Sequence, residues 1–345
     1  MFRFVLLAAV LAASVPTTDA QLGRLVDRAR SAVTGSGGST DADAPSPATV
    51  DGRPAPVLDY TRFLNMDYWP ERGMVYFSGD RNHLIFPPPD LDGYADDHGR
   101  YVIRTAEGRE VASQQIGTIL DTQSAAFKTI GTRSGPSGVE TLEAGEYVMD
   151  LEFQGRVASR LPFSVSIHQG DDPFNPKTIY RRSGPWSQLA YFEHETERTD
   201  YHLTFNAWVH ATELAADDGR VRFVLLRDGS PVASTRSNVD PFVQTRGDWG
   251  LASGYLVTHE TRDATNSTFF TIADVTPGAY TMQVQNRDTG AVLREFAVTG
   301  ESGTLASHER SAMDYEPRHH YLTSRRMGGN SLNRMYSVYW VEAAE

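Results

Sequence analysis

The chain has 345 residues, a formal net charge of −12 at pH 7 and no cysteine. Its length and its 40% hydrophobic content are enough for two domains with apolar cores. The missing cysteines exclude disulfides, thiolate zinc sites and thiol catalysis, and the acidic balance argues against a protein that coats nucleic acid.

Residues 1–20 have the pattern of a secretory signal peptide. Arg3 supplies the positive charge, Phe4–Ala13 is an apolar run of about ten residues, and Thr18-Asp19-Ala20 places small residues at the cleavage positions. A membrane span needs about 20 apolar residues, and no later segment is that long, so we expect no transmembrane segment in the mature chain. The prediction is a secreted or periplasmic protein, with association at the cell surface left open.

Residues 21–55 are predicted to be a flexible linker. Gly35–Val50 has the sequence GSGGSTDADAPSPATV, which is dominated by Gly, Ser, Asp and Pro. Such a run buries too little apolar area to offset the entropy lost on ordering it. The linker would give the rest of the chain reach from its point of attachment.

Beyond Pro56, short runs of alternating apolar and polar residues predict β-strands, and one pattern occurs twice. Leu142–Leu151 (LEAGEYVMDL) matches Val275–Val284 (VTPGAYTMQV). In both copies a Gly turn precedes a strand whose Tyr, Met and aliphatic residue fall on alternate positions and therefore share one face.

Three further matches occur in the same order along the chain. They pair Tyr76-Phe77 with Tyr191-Phe192, Gly108–Ser113 with Gly229–Ser234, and Leu161–Val165 with Glu295–Val298. Matches in a conserved order are typical of an internal repeat with loop insertions.

A Gly turn followed by Tyr at the second position of an alternating strand resembles the penultimate hairpin of immunoglobulin-like and fibronectin-type-III-like sandwiches. The resemblance covers about Pro56–Gly300, in two copies, without the Cys…Trp…Cys pattern of antibody domains. It implies an all-β fold of two tandem immunoglobulin-like β-sandwich domains after the signal peptide and the flexible linker. It implies no particular activity, because such sandwiches carry many functions.

The predicted domains are residues 56–170 and 171–300. The boundary falls in Gly170–Pro176, where two prolines and two aspartates oppose strand continuation. Residues 301–345 form a C-terminal segment in which Met335–Val341 adds a strand, to either domain.

Three tryptophans beside turn residues are the candidate ligand-binding residues: Trp69, Trp186 and Trp249. A loop Trp flanked by Asp, Asn and Arg can stack on a sugar ring while its polar neighbours bind the hydroxyls. The alternative is that each ring covers the end of a sandwich core. Trp208 and Trp340 lie within predicted strands, and we expect them in the core.

Asp90, Asp92, Asp96 and Asp97 surround a Gly turn in the sequence DLDGYADDH and are the candidate metal ligands. Closely spaced oxygen ligands suit Ca²⁺, the one cofactor that the sequence suggests. Tyr94 stands where an EF-hand loop needs a ligand, so a solvated acidic turn is the alternative.

No catalytic residue is assigned. His194-Glu195 and His259-Glu260 begin like a zinc-protease motif, but Arg198 and Asp263 stand where the second His is required. The 44 acidic residues leave open a carboxylate pair of the glycosidase kind.

The leading hypothesis is an exported, non-catalytic binding or scaffolding protein of the bacterial cell envelope. Its partner would be an envelope protein or a polysaccharide, because a rigid sandwich that presents loops suits binding. The alternatives are a carbohydrate-active hydrolase with accessory β-sandwich domains and a Ca²⁺-stabilised adhesion protein. Joint exposure of Trp186 and Trp249 would favour a polysaccharide, and burial of both would favour a protein contact along a sheet edge.

Overall fold

Short alternating segments form strands throughout the part of the chain that a computed structural model describes, and no α-helix occurs in that part. The predicted signal peptide, residues 1–20, and most of the predicted linker lie outside it. The described residues are 49–50, 53–54, 57–58, 67–69, 74–76, 82–85, 99–121, 127–132, 142–153, 156–170, 174, 178–214, 219–243, 249–308, 322, 324–328 and 334–343.

The strands are β1 (Thr49–Val50), β2 (Arg53–Pro54), β3 (Val57–Leu58), β4 (Asp67–Trp69), β5 (Met74–Tyr76), β6 (Asn82–Ile85), β7 (Gly99–Thr105), β8 (Glu110–Asp121), β9 (Phe127–Thr132), β10 (Gly145–Phe153), β11 (Arg156–Gln169), β12 (Thr178–Ser183), β13 (Leu189–Glu195), β14 (Thr204–His210), β15 (Val221–Arg227), β16 (Ser230–Thr235), β17 (Trp249–Thr258), β18 (Gly278–Asn286), β19 (Val292–Glu301), β20 (Thr304–Leu305), β21 (Arg325–Gly328) and β22 (Arg334–Glu342). The 3₁₀ helices are Pro185–Ser187, Ala211–Glu213, His259–Thr261 and Ile272–Asp274.

Two large antiparallel sheets contain most of these strands. The first sheet has eight strands in the order β12-β11-β10-β7-β8-β9-β6-β3. The second has ten strands in the order β20-β19-β18-β15-β16-β17-β14-β13-β22-β21. Two hairpins, β1-β2 and β4-β5, stand apart from them, and both sheets belong to one compact unit, Pro45–Glu345.

The same strand order occurs in both sheets. If β13 to β20 are taken in turn as the counterparts of β3 and β6 to β12, the order of the first sheet is reproduced in the second. The first repeat, β3 to β12, has the β4-β5 hairpin inserted, and the second repeat, β13 to β20, gains β21 and β22 at one edge. The internal repeat predicted from the sequence is therefore present in the topology.

One of the four sequence matches was wrong. Tyr76 ends β5, which pairs with β4 in the inserted hairpin. Tyr191 lies in β13, whose counterpart in the first repeat is β3. The two Tyr-Phe segments resemble each other locally but occupy different places in the fold.

One long strand in each sheet changes partners along its length. β8 pairs first with β7 and then, from Ile116 to Asp121, with β9. β17 pairs with β14 through Trp249–Tyr255 and with β16 through Leu256–Thr258. Each sheet thereby folds over itself into two layers, which is compatible with a β-sandwich. In the second sheet, a bridge between Phe296 and Ala343 brings β19 and β22 together, so that this sheet nearly closes into a barrel.

The core of the second sheet follows the two-residue period of its strands. Phe205 lies at its centre, with ring centroids 4.7 Å from Phe192 and 5.0 Å from Phe223. Further core residues on alternate positions are Ala207 and Val209 of β14, Val221 and Leu225 of β15, Tyr280, Met282 and Val284 of β18, and Phe296 and Val298 of β19.

Trp208 and Trp340 are buried, as the sequence predicted, but on the opposite face of the sheet from this core. Each is 1% exposed, and their parallel rings lie 6.5 Å apart with Tyr191 beside both. Strand β22, which carries Trp340, pairs with β13. The predicted strand Met335–Val341 therefore joins the second sheet.

A tyrosine hydroxyl fixes the same corner in both repeats. The Tyr147 hydroxyl donates to the Glu143 carbonyl at 2.8 Å, and the Tyr280 hydroxyl donates to the Thr276 carbonyl at 3.0 Å, each four residues upstream. Both tyrosines are 6% exposed. A bond of this kind is characteristic of the tyrosine corner of immunoglobulin-like sandwiches.

We expect Tyr280→Phe to lower the free energy of unfolding by about 1 kcal/mol, because the Thr276 carbonyl loses the hydroxyl donor of a buried tyrosine. The Tyr280 hydroxyl also accepts from the Thr276 amide at 3.1 Å, so the loss should exceed that of Tyr147→Phe. Urea denaturation measures both. Tyr201→Phe, at a half-exposed position, is the matched control, and equal midpoints for all three variants would contradict the assignment.

We expect Gly300→Ala to destabilise the chain by about 1–3 kcal/mol through overpacking. A Cβ at this position would lie 2.6 Å from both the Thr276 carbonyl oxygen and Tyr280 Cε2. Gly145→Ala is the control, since its Cβ would have no neighbour closer than 3.8 Å. Thermal unfolding compares them, and an unchanged midpoint for Gly300→Ala would show that the corner is more loosely packed than described.

Candidate functional site

The structure places the three predicted ligand-binding tryptophans differently. Trp186 lies in the 3₁₀ helix Pro185–Ser187 and is 0% exposed. Trp249 begins β17 and is half-buried. Trp69 ends β4, and its side chain lies outside the described part of the chain. Joint exposure of Trp186 and Trp249, which would have favoured a sugar site between them, is therefore not observed.

Trp186 and Trp249 nevertheless meet around one arginine. The Trp249 indole Nε1–H donates to the Arg182 carbonyl at 2.7 Å, while the Arg182 guanidinium lies 4.5 Å from the centre of the Trp186 ring. Trp186 packs beneath the Arg182 guanidinium and has no exposed surface that a ligand could contact. Trp249 retains exposed surface.

The Arg294 guanidinium packs against one face of the Trp249 ring. It lies 4.7 Å from the centre of the Trp249 ring and donates to the Ser187 carbonyl, the Trp208 carbonyl and Glu213 Oε1 at 2.8, 3.0 and 2.6 Å. The His210 ring meets Trp249 edge-on at 5.1 Å. These contacts fix the orientation of a half-exposed indole, which lowers the entropy lost when a ligand binds to it.

Four other aromatic rings form a cluster near the far end of β17. We call Tyr201, His202, Tyr255 and Phe269 the aromatic patch. His202 lies 4.0 Å from Tyr201, 5.3 Å from Tyr255 and 5.3 Å from Phe269, measured between ring centroids. Tyr255 and Phe269 meet at right angles at 5.7 Å. Phe269 is 41% exposed and the other three are half-buried.

Three separate segments supply the aromatic patch. Tyr201 and His202 come from the connection between β13 and β14, Tyr255 from β17, and Phe269 from the connection between β17 and β18. Isolated bridges pair His202 with Thr271 and Val257 with Phe269, which holds the two connections together. Sequence reasoning missed this site. The available signal was the adjacent aromatic pairs in turn-rich segments, Tyr201-His202 and Phe269-Phe270.

Two charged side chains lie beside Tyr201 at one end of the aromatic patch. The Arg198 guanidinium lies 4.4 Å from the centre of the Tyr201 ring and 4.0 Å from an Asp200 oxygen. The Arg198 and Asp200 side chains are 47% and 83% exposed. Arg198 can donate hydrogen bonds to sugar hydroxyls and Asp200 can accept them, next to the Tyr201 ring.

Burial lowers the pKa of His202 below its ordinary value of 6.5, and the nearby Arg198 lowers it further while Glu195 opposes the shift. Burial also lowers the pKa of His194 and of His259. Desolvation penalises the charged imidazolium in each case. The aromatic patch therefore contains a neutral imidazole at pH 7.

The two segments that begin like a zinc-protease motif have structural contacts. His194 lies in β13 and stacks on Tyr339, with 3.1 Å between Nε2 and Oη. His259 begins a three-residue 3₁₀ helix, with Nδ1 3.2 Å from Ser234 Oγ. Ser234 is 0% exposed, so this Ser–His contact has no access for a substrate.

Asp150 and Glu152 of β10 form a carboxylate pair in the first sheet, and arginine side chains bond to both of them. Asp150 accepts from Arg160 at 2.6 Å and from Arg104 at 2.9 Å, and Glu152 accepts from Arg100 at 3.0 Å. Asp150 and Glu152 are 0% and 4% exposed. Their contacts indicate a structural ion-pair network in place of a catalytic pair open to a sugar.

Within the described ranges, no group of three or more His, Asp or Glu residues is placed to hold a metal ion. Asp90, Asp92, Asp96 and Asp97 lie outside those ranges. Calcium binding at these four residues stays a prediction. The described residues also contain no helix that is long and apolar enough to span a bilayer.

Comparison with known proteins finds no matching family model, no matching curated protein and no matching solved structure. Function is therefore argued from the described surface.

The lowered pKa of His202 predicts a stability that falls in acid. The folded state disfavours the imidazolium, so the contribution of His202 is complete above about pH 6.5 and is lost as the pH falls below it. Thermal unfolding between pH 7.5 and pH 5 should show a falling midpoint. His202→Phe should make this decline less steep, because the replacement cannot be protonated, while His194 and His259 still contribute to it.

Tyr201→Phe is the control for the pH series, since it alters a neighbouring ring and leaves His202 in place. It should keep the wild-type slope. Burial raises the pKa of Asp240, which acts on stability with the opposite sign, but this contribution is common to all the variants compared. An identical slope in His202→Phe and wild type would contradict the burial of a neutral imidazole.

Proposed function

We propose that this chain is an exported, non-catalytic protein of the bacterial cell envelope that binds polysaccharide through the aromatic patch. The observation that supports the proposal is the cluster of four rings at the surface, with Phe269 41% exposed. Aromatic rings contact the apolar faces of sugar rings, and the neighbouring Arg198 and Asp200 can bond to hydroxyls.

The size of the aromatic patch favours a sugar over a protein partner. An aromatic side chain offers about 200 Å², so one ring that is 41% exposed and three that are less exposed offer at most roughly 300 Å². A stable protein–protein interface needs about 800 Å² from each partner. The patch is large enough for a few sugar rings, and it covers less than half of the area that a stable protein interface needs.

The rigidity of the aromatic patch also supports binding. Tyr201, His202 and Tyr255 meet the Phe269 ring at interplanar angles of 65°, 61° and 90°. Two backbone bridges hold the connections that carry these rings. A surface that is ordered before the ligand arrives loses less conformational entropy on binding. The role fits a scaffold whose loops are presented for recognition.

The proposed function also includes the route by which the chain reaches the envelope. Export through the signal peptide of residues 1–20, the linker of residues 21–55 and the location in the envelope explain how the chain would reach a polysaccharide. The repeated strand order and the two tyrosine corners support two tandem immunoglobulin-like sandwiches. The strand order extends the first one to β12, which ends at Ser183, beyond the predicted boundary at residue 170.

The experiment is affinity electrophoresis of the full chain in gels that contain cellulose derivatives, soluble chitin, xylan or peptidoglycan fragments. Wild type should be retarded by at least one of them. Phe269→Ala should weaken that binding about tenfold, since a ring contact worth about 1.4 kcal/mol corresponds to a factor of ten.

Val292→Ala is the matched control, because Val292 is 47% exposed and belongs to β19, away from the aromatic patch. It should bind like wild type. Wild type that is retarded by none of the polysaccharides would overturn the proposal. Equal binding by wild type and Phe269→Ala would show that the chain binds glycans at another surface.

A further inference from the structure

We infer that the binding surface continues from the aromatic patch along the outer face of β17 to Trp249, so that the ligand is a linear polysaccharide bound as an extended chain. This inference rests on the proposed function and extends it. The aromatic patch alone accounts for a short sugar. The continuation specifies a chain of several rings and assigns Trp249 to its distal end.

The register of β17 puts the path on one face. Ala252 and Leu256 are both 0% exposed and belong to the core. Successive side chains alternate between faces, so Trp249, Ser253 and Tyr255 point to the opposite, outer face, together with Leu251. Ser253 is exposed and the other three are half-buried. A continuous row of accessible side chains therefore joins the two aromatic ends.

The length of the path exceeds one sugar ring. Trp249 and Tyr255 stand six positions apart on β17, which at about 3.3 Å per residue separates them by ~20 Å. A single pyranose cannot touch both rings. An extended chain of several sugars can stack on the aromatic patch at one end and on Trp249 at the other.

The strand beside the path carries an unsatisfied donor. Asn206 of β14 is directly opposite Ser253, and both belong to the outer face. Asn206 is 2% exposed, and its Nδ2 has no hydrogen-bond partner. Asn206, Trp208 and His210 share this face of β14 and are 2%, 1% and 8% exposed, so this donor is closed to a ligand and a bound chain would lie along β17 itself.

Trp249 is ready to receive a sugar. Arg294 occupies one side of the indole, His210 meets its edge, and the indole N–H is bonded to the Arg182 carbonyl. These contacts fix the orientation of the indole before a ligand arrives, which lowers the entropy lost when a sugar binds beside it.

The experiment compares short and long ligands by isothermal titration calorimetry with the full chain. The probes are cellobiose and cellohexaose, and chitobiose and chitohexaose. In at least one series, wild type should bind the six-ring sugar at least tenfold more tightly than the two-ring sugar. Trp249→Ala should remove that gain and leave the affinity for the two-ring sugar unchanged.

Ser253→Arg gives a second variant at an exposed position, where folding is not at risk from loss of the Trp249 contacts. The added side chain should block the six-ring sugar and spare the two-ring sugar. Val292→Ala is the neutral control. Phe269→Ala should weaken both lengths, because both use the aromatic patch.

The outcomes separate the two proposals. Binding that is lost in Phe269→Ala but shows no dependence on ligand length, or none on Trp249 and Ser253, overturns the extended path and leaves the proposed function standing. If wild type binds no sugar of either length, the proposed function fails and the path fails with it.

Discussion

The register of β17 decides which residues of the second sheet reach the surface. Ala252 and Leu256 are held in the core, and pairing with β14 through Trp249–Tyr255 fixes the strand against slippage. A shift by one residue would exchange the two faces, placing Ala252 in solvent and Trp249 in the core. Burial of Ala252 and Leu256 therefore places Trp249 and Tyr255 on the other face of β17.

Two interactions elsewhere in the second sheet fix the frame around β17. On the core side, the Tyr280 hydroxyl bond to Thr276 fixes the corner from which β18 starts. Near the start of β19, opposite the core residue Val284, Arg294 bonds to two carbonyls and to Glu213 while it supports Trp249. The first repeat uses the same corner at Tyr147, but its outer face carries arginine–carboxylate pairs in place of exposed rings. The two repeats thus share a scaffold and differ in what their outer faces offer.

The sequence was sufficient for the parts of the fold that depend on neighbours in the chain. The Gly turn, the alternating strand with Tyr280 and Met282, and the added strand Met335–Val341 all follow from local period and turn residues. It was not sufficient where distant segments meet. Trp186 sits beside a turn like Trp249, yet it is buried because Arg182 and the second sheet cover it. The aromatic patch could not be predicted either, because its rings come from three segments that meet only in the folded sheet.

The central claim is that a glycan lies on the outer face of β17, and the Trp249 indole reports on that face directly. In ¹H–¹⁵N correlation spectra of the full chain, the Trp249 Nε1–H resonance should shift progressively as cellohexaose or chitohexaose is added. The indole resonances of Trp186, Trp208 and Trp340, which are buried, should stay in place. A saturating sugar that moves other resonances and leaves Trp249 unchanged would contradict the account, because the bound chain would then lie elsewhere.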